Sequence, residues 1–137
     1  MRALVLALML AGCGADSSET ETASVRCGTC GMVVEPNDGW RAGTADESFD
    51  SPKCLFRRVL RGGDARGAWV IEYYSQERRE ATEMLYVTGS DLESPMGRDL
   101  VPVDGRDAAE RLRIDHLGEQ MLAWDEVEAT LIDDLFR

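Results

Sequence analysis

The stretch Cys27-Gly28-Thr29-Cys30-Gly31-Met32 constrains this chain more than any other. Two thiols stand three positions apart and a thioether comes two positions later, a density of soft sulfur groups that no other window matches. The residues after the second cysteine decide the local fold. A thiol–disulfide exchange site normally opens a helix, whose N-terminal dipole helps lower the thiol pKa. Here the continuation is Gly31-Met32-Val33-Val34, a run that favours a strand. The stretch therefore reads as a metal-capture loop, with the remaining chain as its scaffold and anchor.

The chain carries four cysteines. Cys13 closes Leu10-Ala11-Gly12-Cys13, a match to the bacterial lipoprotein cleavage box, after Met1-Arg2 and an apolar run too short to span a bilayer. Residues 1–12 are therefore expected to be a signal peptide. Cys13 becomes the lipidated first residue, held by acyl chains such as palmitate at the periplasmic, extracytoplasmic face of the cell membrane. Residues 13–24 comprise this cysteine and a disordered spacer with nothing large to bury. Residues 25–137 are left for the folded domain, enough for one compact body or two very small units.

Charge narrows the partners. The formal net charge is −11, and losing Arg2 with the leader makes the body more acidic still. Such a surface excludes nucleic-acid binding and unaided adhesion to anionic lipid. With Cys13 spent on lipid, Cys27, Cys30 and Cys54 remain, an odd set that cannot close a disulfide framework in an oxidising compartment.

The body reads as alternating short strands and helices. Met32 to Glu35, the turn cluster Pro36-Asn37-Asp38-Gly39 and Trp40 to Ala45 suggest a hairpin. Asp50-Ser51-Pro52 announces a helix with inner residues Leu55, Phe56, Val59 and Leu60, stopped by Gly62-Gly63. Trp69 to Tyr74, Met84 to Thr88, Asp99 to Val103 and Met121 to Trp124 favour strands. Asp104 is expected to cap a helix over about 105–117, with Ala108, Leu112 and Ile114 or Leu117 inward, and Asp125 a last helix to Leu135. Asp50-Ser51-Pro52-Lys53-Cys54 lines up with Asp104-Gly105-Arg106-Asp107-Ala108, each opening an Arg-bearing helix that ends at Gly. This pattern implies an α+β fold of two small homologous strand-plus-helix units, over about 25–78 and 79–137.

Four chemistries compete for Cys27 and Cys30: thiol–disulfide exchange in a periplasmic oxidoreductase, structural zinc, a plain disulfide and Cu(I). Zinc wants four ligands, and only Cys54 and the sole histidine, His116, could complete them. A zinc-stabilised interaction module would use them so. Cys54 opens a helix stripe, where a cysteine serves as a small buried residue. Cu(I) accepts thiolate and thioether and needs fewer ligands. Met84 and Met121 lie in apolar strands as filler, whereas Met32 and Met96 stand beside glycines at loop ends. The metal candidates are therefore Cys30, Met96, Cys27 and Met32, with His116 as a possible addition. There is no Ser-His-Asp order, no phosphate loop and no acid–base pair, so no catalytic residue is assigned. The reading is of a carrier, not an enzyme.

The chain resembles the NosL family along nearly the whole mature domain. The matching pieces are the lipobox at Cys13, CGTCGM at 27–32, FDSPKCLF at 49–56, WVIEYYS at 69–75, YVTGSDLESPMG at 86–97, LVPV at 100–103 and HLGEQMLAWDEV at 116–127. The resemblance implies two homologous α+β units akin to a fold also seen in an organomercurial lyase. It implies an exported, membrane-anchored Cu(I) chaperone for maturation of nitrous oxide reductase in denitrification, taking copper from a membrane copper or ABC transporter. Carried over by motif, Cys30 of the CGM signature and Met96 of the PMG turn are the leading ligands, with Cys27 and Met32 supporting.

Overall fold

The computed structural model describes residues 23–137; the expected signal peptide, Cys13 and most of the expected spacer lie outside them. The fold is α+β. In chain order it runs β1 (Ala42–Gly43), β2 (Ser48–Phe49), α1 (Pro52–Leu60), β3 (Trp69–Ile71), β4 (Arg78–Glu80) and β5 (Leu85–Thr88). It continues with β6 (Glu93–Ser94), β7 (Gly97–Arg98), β8 (Val101–Val103), α2 (Arg106–Asp115), β9 (Gln120–Ala123) and α3 (Ala129–Leu135). The first half builds an antiparallel sheet in the order β2-β1-β3-β4, and the second a sheet in the order β8-β5-β9. Within the second half, β6 and β7 form a separate hairpin in the stretch that leads from β5 to β8. Among the described residues no helix is long and apolar enough to cross a membrane.

One apolar cluster joins the halves. Phe49, Cys54, Leu55 and Phe56 from the first half meet Tyr86, Leu100 and Ile132 from the second. Phe56 stacks edge-on to Tyr86 at 4.8 Å between centroids, and α3 packs on α1 across the join. A second cluster, of Val87, Val101, Val103, Ala109 and Leu112, lies between α2 and its sheet. Tyr86 is fully buried, and its hydroxyl donates to the carbonyl of Ala81 at 2.6 Å, so burial leaves no polar atom stranded there.

Several expectations are corrected. The run at 32–35 does not pair with 40–45. Val33 instead bridges Arg26, and the Val34 amide donates to the Val25 carbonyl at 2.8 Å, so this stretch spends its backbone groups on the segment before the loop. Strand β3 stops at Ile71 because Glu72 turns the chain, its carboxylate accepting from the Ser75 amide at 2.6 Å. In α2 the buried residues are Ala109 and Leu112, while Ile114 and Leu117 are 63% and 73% exposed. Two residues rotate a helix by about 200°, so Ile114 faces away from Leu112. Leu117 lies past the helix end with φ 58°.

Helix starts differ from expectation as well. Ser51 holds the cap position before Pro52 but makes no side-chain cap bond, and Gly105 takes the cap position expected of Asp104. Asp125 caps no helix but lies inside a single 3-10 turn over Trp124–Glu126, and α3 begins later, at Ala129. Glu126 closes that turn by accepting from the Ala123 amide at 2.8 Å.

Candidate metal centre

The sulfur loop is a tight, closed turn. The Cys27 amide donates to the Met32 carbonyl at 2.8 Å and the Gly31 amide to the Cys27 carbonyl at 3.0 Å. Gly31 takes φ 77°, a left-handed conformation that favours glycine. No helix begins at Cys30, so the loop's own backbone supplies no helix dipole to its thiols. Two bonds fasten the loop to the scaffold. The Gly28 amide donates to the Ser48 carbonyl of β2 at 2.9 Å, and the Thr29 hydroxyl to the Cys54 carbonyl at 2.7 Å. Space at Gly28 is tight: a Cβ there would lie 3.2 Å from the buried Phe49 ring and 2.9 Å from a Glu47 carboxylate oxygen, the end of a side chain that can swing aside.

The Thr29 bond brings the loop onto the first turn of α1, and four ligand atoms converge. One each from Cys27, Cys30, Asp50 and Cys54 lie within 4.8 Å of one another. Cys27, Cys54 and Asp50 are buried, while Cys30 is half-buried. The Cys30 thiol donates to Asp50 Oδ2 at 3.3 Å, and Asp50 Oδ1 is buried with no hydrogen-bond partner. An orphaned carboxylate oxygen beside three thiols is what a cation or a proton would satisfy.

The thiols are electrostatically unequal. The Cys54 thiol donates to Cys27 and, against the opposing effect of burial, draws it down to about 6. Backbone amides of Cys30, Asp50 and Thr29 add to this. Cys54 is pushed far up, first because its proton is committed to Cys27 and then by burial. Burial likewise pushes Cys30 up to about 11. One thiolate therefore lies at the back of the cluster near neutral pH, and the outermost sulfur holds its proton until something displaces it.

Met96 arrives from the other half, at the tip of the β6–β7 hairpin. The Met96 amide donates to Ser94 Oγ at 3.0 Å, and Gly97 turns the tip with φ 82°. Lys53, immediately before Cys54, braces this hairpin from inside. Its side chain is fully buried, and the ammonium donates to the carbonyls of Met96 at 2.6 Å, Arg98 at 2.8 Å and Leu135 at 3.1 Å. Its backbone amide donates to Asp99 Oδ1 at 2.8 Å, where burial lifts the carboxyl to about 6. Cys30 and Met96 consequently line one open cleft of about 460 Å³.

The other candidates stand elsewhere. Met32 is 42% exposed and lines a neighbouring cleft, which it shares with Asp50 and Pro95. His116 caps the C-terminus of α2, with Nδ1 2.9 Å from Asp91 Oδ1 and Nε2 3.3 Å from the Tyr73 hydroxyl. The structure does not bring it to the cysteines. The sequence weighs Cys54 only as a zinc ligand or a buried helix residue, and gives Asp50 and Lys53 no role at the site. An Asp-Ser-Pro before a helix looks like capping chemistry and Cys54 like core filler; only the tertiary bond from Thr29 shows otherwise.

The donor set fits a soft cation first. Three sulfurs from cysteine, with a methionine at the same cleft, suit Cu(I). Three thiolates and a carboxylate also make a four-ligand set of the kind zinc takes.

The sequence model of the NosL family matches residues 19–132. The fold is similar to the crystal structure of the copper chaperone NosL from Shewanella denitrificans, with a TM-score of 0.65 and 19% sequence identity over 77% of this chain and 90% of that one. No curated protein matches the chain significantly. With the match running from the spacer into α3, the chain belongs to the NosL family.

Proposed function

We propose that this protein carries one Cu(I) ion as cargo and performs no turnover. Cys30 and Met96 hold the ion from two separate loops, with Cys27 behind them as the third sulfur and Met32 within reach of an incoming or departing ion from the adjoining cleft. Export by the leader and lipidation at Cys13 would hold the carrier at the outer face of the cell membrane. From there it would take copper from a membrane transporter and hand it to nitrous oxide reductase. The observation that carries the reading is the shared cleft of Cys30 and Met96, maintained by the Thr29–Cys54 and Lys53–Met96 bonds. The copper chaperone from Shewanella denitrificans, alike in fold, supports it.

An open, low-coordinate site suits a carrier. Ligands can be exchanged one at a time, so the ion need never be free. Native mass spectrometry of the protein under reducing conditions, offered Cu(I) and Zn(II) together, tests the assignment. One-to-one uptake of Cu(I), lost in Cys30→Ser and weakened in Met96→Leu, is expected. The four-ligand cluster of Cys27, Cys30, Asp50 and Cys54 favours a second reading, a zinc-stabilised module. Zinc retained through purification, with unfolding on chelation and no effect of Met96→Leu, would replace copper carriage with it.

A further inference from the structure

The cleft over Cys30 and Met96 has a charge that the rest of the chain does not share. The sequence holds 26 acidic residues against 15 basic ones, yet the cleft is lined by Arg57, Arg58 and Arg61 and by no carboxylate. Arg57 and Arg58 belong to α1, the helix whose first turn carries Cys54, and Arg61 caps its C-terminus. Arg58 meets Glu47 at 2.9 Å and Arg61 meets Asp133 at 3.5 Å, both as solvent-exposed pairs. Exposed pairs contribute little and yield readily to a competing anion. Arg57 lies over the Phe136 ring, 4.1 Å from its centroid, and among the described residues no carboxylate pairs with it. Stacking on an aromatic face leaves the guanidinium edge free to donate two parallel hydrogen bonds.

We propose that this cleft binds a small thiol bearing carboxylates as an external ligand to the carried ion, an inference that rests on the copper reading above. Cys30 and Met96 give Cu(I) two donors at the cleft, Cys27 gives a third from behind, and the remaining position faces solvent. A soft ion takes a soft donor there. The incoming thiol gives its proton to water and binds as thiolate, while its carboxylates accept from Arg57 and Arg61. No electron changes hands. The cleft volume, about 460 Å³, is that of a small-molecule site and not of a protein–protein interface. Cys27 and Cys54 lie buried behind Cys30, so the external sulfur approaches from the arginine side. The arginines thus select which solution thiol completes the shell, and the anionic thiol becomes the vehicle by which copper enters or leaves.

The test uses the purified protein loaded with Cu(I) and two probes, mercaptosuccinate and 2-mercaptoethanol. Calorimetric titration gives each affinity, and X-ray absorption gives the number of sulfur ligands. In the unaltered protein mercaptosuccinate should bind about tenfold or more tightly than 2-mercaptoethanol, with one sulfur added to the shell. The double variant Arg57→Gln/Arg61→Gln should bring the two affinities to near parity while copper loading stays one-to-one. Comparing the ratio in both proteins cancels the intrinsic difference between the thiols. An equal ratio in both, or no added sulfur, overturns the proposal and leaves copper carriage standing. A protein that takes up no Cu(I) overturns carriage itself, before any thiol is added.

Discussion

The two helix starts, one in each half, share the same local plan and meet opposite fates. Asp50, Ser51, Pro52, Lys53 and Cys54 are all buried, whereas Asp104, Gly105, Arg106 and Asp107 lie open to solvent or nearly so and Ala108 is only partly covered. In the first half the turn is pressed between the sulfur loop and the Met96 hairpin, and its polar groups are turned inward. Cys54 and Asp50 join the thiol cluster, and Lys53 reaches three carbonyls. In the second half the corresponding residues face water, and the helix serves packing alone through Ala109 and Leu112. Burial of polar side chains is costly unless they are matched, so a start that buries five residues including an acid and an amine marks the place where the fold spends stability on a task.

The largest effect that would break this contrast is at Lys53. Lys53→Met should destabilise the protein by about 3–5 kcal/mol, because it leaves one buried and two partly buried carbonyls without their donor. Asp107→Asn, at the aligned position in the second half, should change stability by less than about 0.5 kcal/mol. Urea unfolding of both variants reads the difference, and equal losses would dissolve the distinction. A milder Lys53→Arg variant separates bracing from stability: if Lys53 positions Met96, copper affinity should fall in it even where the midpoint is largely kept.

A second difference concerns pH. With Cys27 drawn from the ordinary 9.0 down to about 6, the unfolded chain binds one more proton than the native one between those values. Stability from this thiol is therefore full above 9.0 and is lost as pH falls through about 6, worth about 1 kcal/mol between pH 6 and 7. The slope should flatten in Cys27→Ala, measured against the unaltered protein so that other groups cancel. In Cys54→Ala the thiolate absorbance of Cys27 should move to higher pH, since the bond from Cys54 is the main cause of its low value.

The smallest expected change sharpens the picture of how the loop is held. Thr29→Val removes the 2.7 Å bond to the Cys54 carbonyl and should cost about 1 kcal/mol. Hydrogen exchange should then rise at the Gly28 and Gly31 amides and stay unchanged at β5 and β9. A rise in both places would mean that the loop is not a separately fastened element.

Local chemistry made much of this fold legible. Pro52 and Gly62 bracket α1 as their backbone preferences dictate, and Leu85 to Thr88 form β5 within a run of β-favouring residues. The glycines beside Met32 and Met96 do mark loop turns, as their positive φ at Gly31 and Gly97 shows. The contacts made across the chain could not be read. Asp50 before a Ser-Pro is indistinguishable from a cap until the Cys30 thiol is seen to donate to it across twenty positions. Lys53 looks like a surface amine, since nothing local says that a hairpin from 43 positions onward will wrap over it. Periodicity in α2 misplaced Ile114 because the stripe was extended past the point where the helix turns its inner face away.

Lys53 holds the Met96 carbonyl and the Leu135 carbonyl with the same ammonium, and Phe136 lies beneath the Arg57 guanidinium at the cleft wall. The stretch after α3 is in this way mechanically continuous with the methionine that shares the cleft with Cys30. A bulky fusion placed directly after Arg137 should tug on the thioether, whereas one placed ahead of the sulfur loop should leave it at rest.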